Sequence, residues 1–277
     1  MTHYGMAVPA ALLLVSLSIP SAAQITDETP VSHLVAPVQT AAQVATPTAP
    51  VGQTQVSPED MADILMARKD YREAAFSYKR LIDEHPKNAV YWNKLGIALH
   101  QQSELAGALK SYQQAVKVNP QYADAQNNIG TIWYQRKKFA KAVRAYERAI
   151  KIRGDMAVLY SNLGYAYFGE KKYEDSIASF RQALAIDPQL FEHTSSRGGS
   201  VLQDRSVSDR GRFYFLLAKS FADAGNFDRS FIYLRKAKEE GYASMNDLKT
   251  DPSFSAMLKL PEAQEILAPK PTDAKLP

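Results

Sequence analysis

The stretch "WNKLGIAL", Trp92–Leu99, places Trp92, Leu95 and Leu99 on one face of a helix and sets Gly96 in its middle. Glycine inside a helix costs roughly 1 kcal/mol against alanine. The same setting returns in "NNIGTIWY", Asn127–Tyr134, and again in "SNLGYAYF", Ser161–Phe168. These segments carry Gly130 and Gly164, each 34 residues after the glycine before it. A cost incurred three times at one period points to a structural need that recurs at that period.

Other positions keep the same step. One unit holds Trp92, Leu95, Gly96, Leu99, Ala108, Tyr112, Ala115 and Pro120. The next holds Ile129, Gly130, Trp133, Ala142, Tyr146 and Ala149, with Gly154 where proline stood. A third holds Tyr160, Leu163, Gly164, Tyr167, Ser176, Phe180, Ala183 and Pro188. A looser copy precedes them (Met61, Ala62, Leu65, Ala74, Tyr78, Leu81, Pro86), and another follows (Tyr214, Leu217, Ala218, Phe221, Ser230, Leu234, Ala237). Each unit reads as two antiparallel helices that cannot bury their apolar faces alone and must stack on neighbours. Gly96 and Ala108 are expected where the paired helices cross, so that small residues let the backbones close up around large ones such as Trp92 and Tyr112. Pro86, Pro120 and Pro188 end the second helix of their units.

In these residues, from about Gln55 to Tyr242, the chain resembles the tetratricopeptide repeat (TPR) family. The resemblance implies an all-α, right-handed solenoid of about five helix-turn-helix repeats with a C-terminal helical cap.

The repeats do not fill the chain. Residues 1–23 read as an export signal: the uncharged apolar run Met6–Ile19 precedes Pro20, and the small Ser21 and Ala23 stand at cleavage spacing. Residues 24–55 are rich in Pro, Ala, Thr, Val and Gln and read as a disordered linker. Ser57, Pro58 and Asp60 supply a helix start. TPR repeats 1–4 then occupy 56–190. The step from Gly164 to Ala218 is 54 residues, one period plus 20, so 191–210 is expected to be an inserted loop. A fifth repeat spans 211–242, capping helices 243–267, and a disordered tail 268–277.

Catalytic chemistry finds no foothold. There are no cysteines, which excludes disulfides, thiolate catalysis and thiolate metal sites. The five histidines (His3, His33, His85, His100, His193) lack ligand spacing, and neither GxSxG, HExxH nor a phosphate-binding glycine loop occurs. No cofactor or metal is implied, and an enzyme is not expected. A net charge of +4 is too small to argue for nucleic acid.

What remains is surface. In a TPR array the first helix of each pair lines the concave groove. Counting along those helices assigns to it Asn93, Lys94, Ile97 and His100 in the second repeat. The third contributes Asn127, Asn128, Thr131, Tyr134 and Gln135, and the fourth Ser161, Asn162, Tyr165 and Phe168. Asn128 and Asn162 are equivalent, each two before its glycine, and Lys94 holds that slot one repeat earlier. Solvent-facing carboxamides at a regular pitch can both donate to and accept from the backbone of an extended peptide. This pattern resembles the asparagine ladder of peptide-threading TPR proteins rather than the carboxylate clamp of chaperone cofactors, whose basic slots are acidic or neutral here. A second surface is basic: Arg136, Lys137, Lys138, Lys141, Arg144 and Arg148 crowd the third repeat. There, with Lys151 and Arg153, eight basic residues against three acidic ones leave +5. Base-stacking aromatics do not interleave with them, which disfavours nucleic acid.

The sequence therefore reads as an exported TPR adaptor, periplasmic or secreted. It would hold an extended segment or helix of a partner protein in its groove and serve cell-envelope assembly or regulation. The alternative is a scaffold that contacts anionic lipid or polysaccharide of the envelope through the basic third repeat. The oligomeric state is left open.

Overall fold

The computed structural model describes residues 56–193 and 207–268. Five helix pairs follow one another there: α1 Pro58–Ala67 with α2 Tyr71–Glu84, α3 Ala89–Gln101 with α4 Leu105–Val118, α5 Ala123–Gln135 with α6 Phe139–Ile152, α7 Ala157–Gly169 with α8 Tyr173–Ile186, and, after the short α9 Leu190–His193, α10 Val207–Asp223 with α11 Phe227–Glu239. No strand occurs among the described residues. Ser57 caps α1 through its side chain, which accepts from the Asp60 N–H at 3.0 Å, and Pro58 follows at the first helical position.

The repeated glycine has a direct cause. A Cβ on Gly96 would stand 2.5 Å from the ring of Tyr112. On Gly130 it would stand 2.5 Å from Tyr146, and on Gly164 2.6 Å from Phe180. In each pair an aromatic ring from the second helix lies on bare backbone of the first, and Tyr112 and Phe180 are fully buried there. The packing gained outweighs the propensity lost. The position facing the first helix from the second is also small: Ala74, Ala108, Ala142, Ser176 and Ser230 are all 0% exposed. The two serines satisfy their hydroxyls on the first helix itself. Ser176 donates to the Gly164 carbonyl at 2.9 Å and Ser230 to the Ala218 carbonyl at 2.8 Å.

Each pair closes through the same turn. Lys69, Ser103, Lys137 and Lys171 take positive φ of 56–67°, and Gly225 takes the equivalent place in the fifth pair. The next N–H reaches back to the first helix, as Asp70 does to Leu65 and Glu104 to Leu99, both at 2.9 Å. This is a Schellman closure, and four of its five left-handed residues are not glycine.

The C-terminal elements differ from expectation in two places. The expected loop 191–210 is ordered at both ends. Phe191 is buried with its ring against Phe180 and Phe221, and α10 begins at Val207, ahead of the 211 boundary. Because α10 packs on α8, the stack continues across the interruption. The cap is built mostly of 3-10 turns, Met245–Lys249, Pro252–Phe254 and Met257–Lys259, and of one α-helix, α12 Pro261–Leu267. These bring the fully buried Leu248, Phe254 and Met257 against α10 and α11. An ion pair of 2.9 Å between Lys219 and Asp251 ties the cap to α10. The signal, the linker, 194–206 and 269–277 lie outside the described residues. No described helix is long and apolar enough to cross a membrane.

Candidate protein-binding groove

The first helices α3, α5 and α7 meet their predecessors through polar side chains at fixed places. Two residues before the glycine stand Lys94, Asn128 and Asn162; three before the equivalent place in the preceding repeat, Ala62, Gly96 or Gly130, stand Glu59, Asn93 and Asn127. These pair in order. Lys94 reaches Glu59 at 3.3 Å and also Asp63 at 2.7 Å. Asn128 donates to Asn93 at 3.0 Å, and Asn162 donates to Asn127 at 2.9 Å. The fourth junction would pair Leu216 with Ser161; both are buried, and the polar series stops there.

The assigned groove residues therefore divide. Asn127, Asn128, Thr131, Tyr134 and Asn162 form one half-exposed strip along α5 and α7. The asparagines do not simply face solvent, because each is bonded across a junction. A carboxamide has two N–H groups and two lone pairs, and the rungs use only part of this. No hydrogen bond engages the Asn127 amide N–H groups or the Asn128 and Asn162 amide oxygens among the described residues. Thr131 donates to the Asn127 carbonyl at 3.2 Å, and the Tyr134 ring stands edge-on to Phe139 at 5.4 Å.

Other assignments are corrected. Asn93 is 5% exposed, held by Asn128 and by the Tyr122 hydroxyl at 3.4 Å, and Ser161 is 7% exposed. Lys94 is committed to two carboxylates and is no free anchor. Phe168 is 3% exposed, packed on Phe213 and Tyr173. The half-buried Tyr165 stacks on Phe213 at 5.5 Å and meets the edge of Phe180 at 5.3 Å. Both aromatics serve the junction with the fifth repeat. His100 is also buried. Its Nε2 lies 2.8 Å from the Gln135 amide oxygen, its Nδ1 has no partner among the described residues, and burial holds its pKa below the ordinary histidine value.

Around the first junction sits a cluster that sequence reasoning passed over. Tyr91 donates to Glu59 at 2.8 Å and Tyr78 donates to Asp63, flanking the two carboxylates that hold Lys94. Burial pushes the Tyr78 hydroxyl far above its usual range, and the bond to Asp63 adds to this. The available signal was the 35-residue step between polar side chains on successive first helices, one more than the repeat length. Lys94–Glu59, Asn128–Asn93, Asn162–Asn127 and His100–Gln135 all show it.

Comparison with family models identifies these units. A model described as TPR repeat matches residues 98–136 and 130–171, and models described as tetratricopeptide repeat match 157–190 and 60–88. The chain is a tetratricopeptide repeat protein. As a TPR array it is a protein-interaction scaffold. No curated protein matches it by sequence. Solved structures similar to this TPR chain include one of MamA, 20% identical over 69% of this chain and 98% of that one, TM-score 0.48. MamA from Desulfovibrio magneticus RS-1 is 16% identical over 70% and 96%, TM-score 0.48. YrrB, titled a TPR protein with an unusual peptide-binding site, is 13% identical over 70% and 89%, TM-score 0.47.

The basic residues of the third TPR lie in the turn between the paired helices, Arg136–Lys138, and on α6 itself, Lys141, Arg144 and Arg148. Lys137, Lys138, Lys141, Arg144 and Arg148 are exposed. Arg136 is half-buried, and its guanidinium and the Lys141 ammonium stand 5.7 and 4.5 Å from the Trp133 ring. Among the described residues no group of three or more His, Asp and Glu is placed to hold a metal ion.

Proposed function

We propose that the protein is an exported adaptor that holds an extended segment of a partner protein against the first helices of its third and fourth repeats. The observation that carries this reading is the pair of amide rungs, Asn128–Asn93 and Asn162–Asn127. Each rung fixes the orientation of its carboxamides while leaving unused donors or acceptors in the half-exposed strip with Thr131 and Tyr134. A carboxamide held by one bond is pre-organised for a second, so less side-chain freedom is lost when a peptide backbone binds. Regular spacing of such groups suits a chain of repeating amides better than a compact ligand. The apolar run and small residues at 6–23 support export, and a role in envelope assembly follows from that setting.

The test is photo-crosslinking from residue 131 against residue 79, which lies exposed on the outer helix α2, in cells that make the protein. A partner captured from 131 and not from 79 supports the groove. A synthetic peptide covering the cross-linked segment should then bind at high salt nearly as well as at low salt, because amide contacts are screened little. Capture from residue 79 alone, or a peptide that fails to bind, overturns the reading.

A further inference from the structure

The start of α6 carries charges of the wrong sign for its own stability. A helix N-terminus is its positive end, where acids stabilise and cations cost. The second helices α2, α8 and α11 follow this rule with Glu73, with Glu174 and Asp175, and with Asp228 in their first turns. Helix α6 has no acid there; Lys138 is its N-cap and Lys141 lies in the first turn, preceded by Arg136 and Lys137. Lys137, Lys138, Lys141, Arg144 and Arg148 form no ion pair among the described residues. The acid on α6, Glu147, instead accepts from the Tyr167 hydroxyl at 3.0 Å. Apart from the contact of Lys141 with the Trp133 ring, these cations find no charged partner within the described chain, and a local rule broken with so little internal gain points outward.

Two features indicate what they face. The cations run from the turn before α6 along about 15 Å of its outer side and do not converge on a cleft. Phe76, 64% exposed, is the most exposed large apolar side chain described, and it occupies the place in the first repeat that Lys110 and Arg144 occupy in the second and third. The outer column thus joins an apolar ring to a row of unpaired cations. The half-buried indole of Trp133 lies beside them under Arg136 and Lys141. A planar field of phosphates with hydrocarbon beneath it matches that combination: cations at headgroup level, Phe76 able to enter the boundary, and an amphipathic tryptophan at its edge.

We infer that the outer face of the first three repeats, centred on Lys137, Lys138, Lys141, Arg144 and Arg148, docks on an anionic lipid bilayer. This surface lies on different helices from the peptide strip, so the array would sit on a membrane with its groove free.

The experiment is sedimentation of the full chain with vesicles of phosphatidylcholine and phosphatidylglycerol in equal parts, against phosphatidylcholine alone, at low salt. A Lys137→Gln/Lys138→Gln/Lys141→Gln variant is compared with a Lys236→Gln/Lys249→Gln/Lys259→Gln variant that loses the same charge from exposed positions in the fifth repeat and the cap. The first should bind anionic vesicles roughly 100-fold more weakly, at about fivefold for each cation near the surface, while the second stays much closer to the parent. Should the triple variant not fold, Arg144→Gln/Arg148→Gln serves instead, with a loss of roughly 25-fold. With Trp92→Phe as background, emission from Trp133 should shift when anionic vesicles are added. Absence of binding to anionic vesicles, or equal loss in the two triple variants, overturns the inference. Binding to soluble dextran sulfate without binding to vesicles also overturns it, and would mark a polyanion site.

Discussion

The amide nitrogen of Asn162 lies 2.9 Å from the amide oxygen of Asn127, one repeat and one residue earlier in the chain. Asn128 and Asn93 stand in the same relation at 3.0 Å. These side chains register one repeat on the next, and in the proposed function their unused groups are the ones that would meet a bound peptide.

A first prediction follows for stability. Asn128→Ala/Asn162→Ala removes two inter-repeat bonds, each worth about 0.5–1.5 kcal/mol net. The double variant should lose about 1–3 kcal/mol by urea unfolding, with m unchanged. A double-mutant cycle on Asn127 and Asn162 should show coupling, because they share one bond. Unfolding that matches the parent would mean that the rungs carry no weight in solution.

The glycine contacts give a second. Gly130→Ala places a methyl group where the Tyr146 ring lies, 2.5 Å away, so the crossing must open. Overpacking of this kind costs about 1–3 kcal/mol. Gly154→Ala is the control. Its new carbon would meet ordinary contacts at 3.4 and 3.5 Å, and reduced freedom of the unfolded chain should leave it neutral or slightly stabilising. Equal falls in Tm for the two would defeat this account of the period.

The fold was largely legible because its decisive contacts lie within one pair. Gly96 and Tyr112 are 16 residues apart, and three copies of that spacing isolate it from chance. The site was less legible because its contacts cross between pairs. Helical counting places Asn128 on the right face, but it does not say that Asn93 is within reach. That reach depends on successive helices being offset so that contacts run at 35 residues when the sequence repeats at 34. Tyr165 and Phe168 were assigned to the groove because their partner, Phe213, arrives only after the 20-residue interruption. Phe191 was assigned to a loop because one buried ring is hidden in a polar segment.

A third prediction concerns the tyrosines that cover the first helices. The residue following the glycine or alanine decides what each hydroxyl meets. Tyr78 finds Asp63 and Tyr146 finds Thr131 at 3.4 Å, but in the second pair that residue is Ile97, which offers no acceptor. The Tyr112 hydroxyl is accordingly buried without a partner among the described residues, and burial holds its pKa far above the ordinary range. Tyr112→Phe removes an unsatisfied group and should leave the protein equally stable or stabilised by up to about 1 kcal/mol, whereas Tyr78→Phe should cost about 1 kcal/mol or more. Thermal unfolding of the two single variants, run side by side, decides it. A larger loss for Tyr112→Phe would show that this hydroxyl is satisfied after all.

The last prediction is a pH dependence centred on His100. The ring lies 3% exposed between α3 and α5, bonded to Gln135 through one nitrogen, with the other unpartnered. Burial lowers its pKa below the 6.5 of a free histidine, although the bond to Gln135 pulls the other way. The sign follows from linkage. Between the folded and unfolded pKa values the unfolded chain binds the proton and the folded chain does not, so stability rises with pH through that window. The stabilisation from a neutral His100 is complete above about pH 6.5. It is lost as the pH falls from there toward the lower folded value, below which no further loss occurs. His100→Gln keeps a polar side chain that cannot charge and should flatten that segment of the curve. Urea midpoints for parent and variant, measured from about pH 7.5 to 5.5, should diverge in slope only below about pH 6.5. Parallel curves throughout would mean that His100 is solvated or already paired in solution.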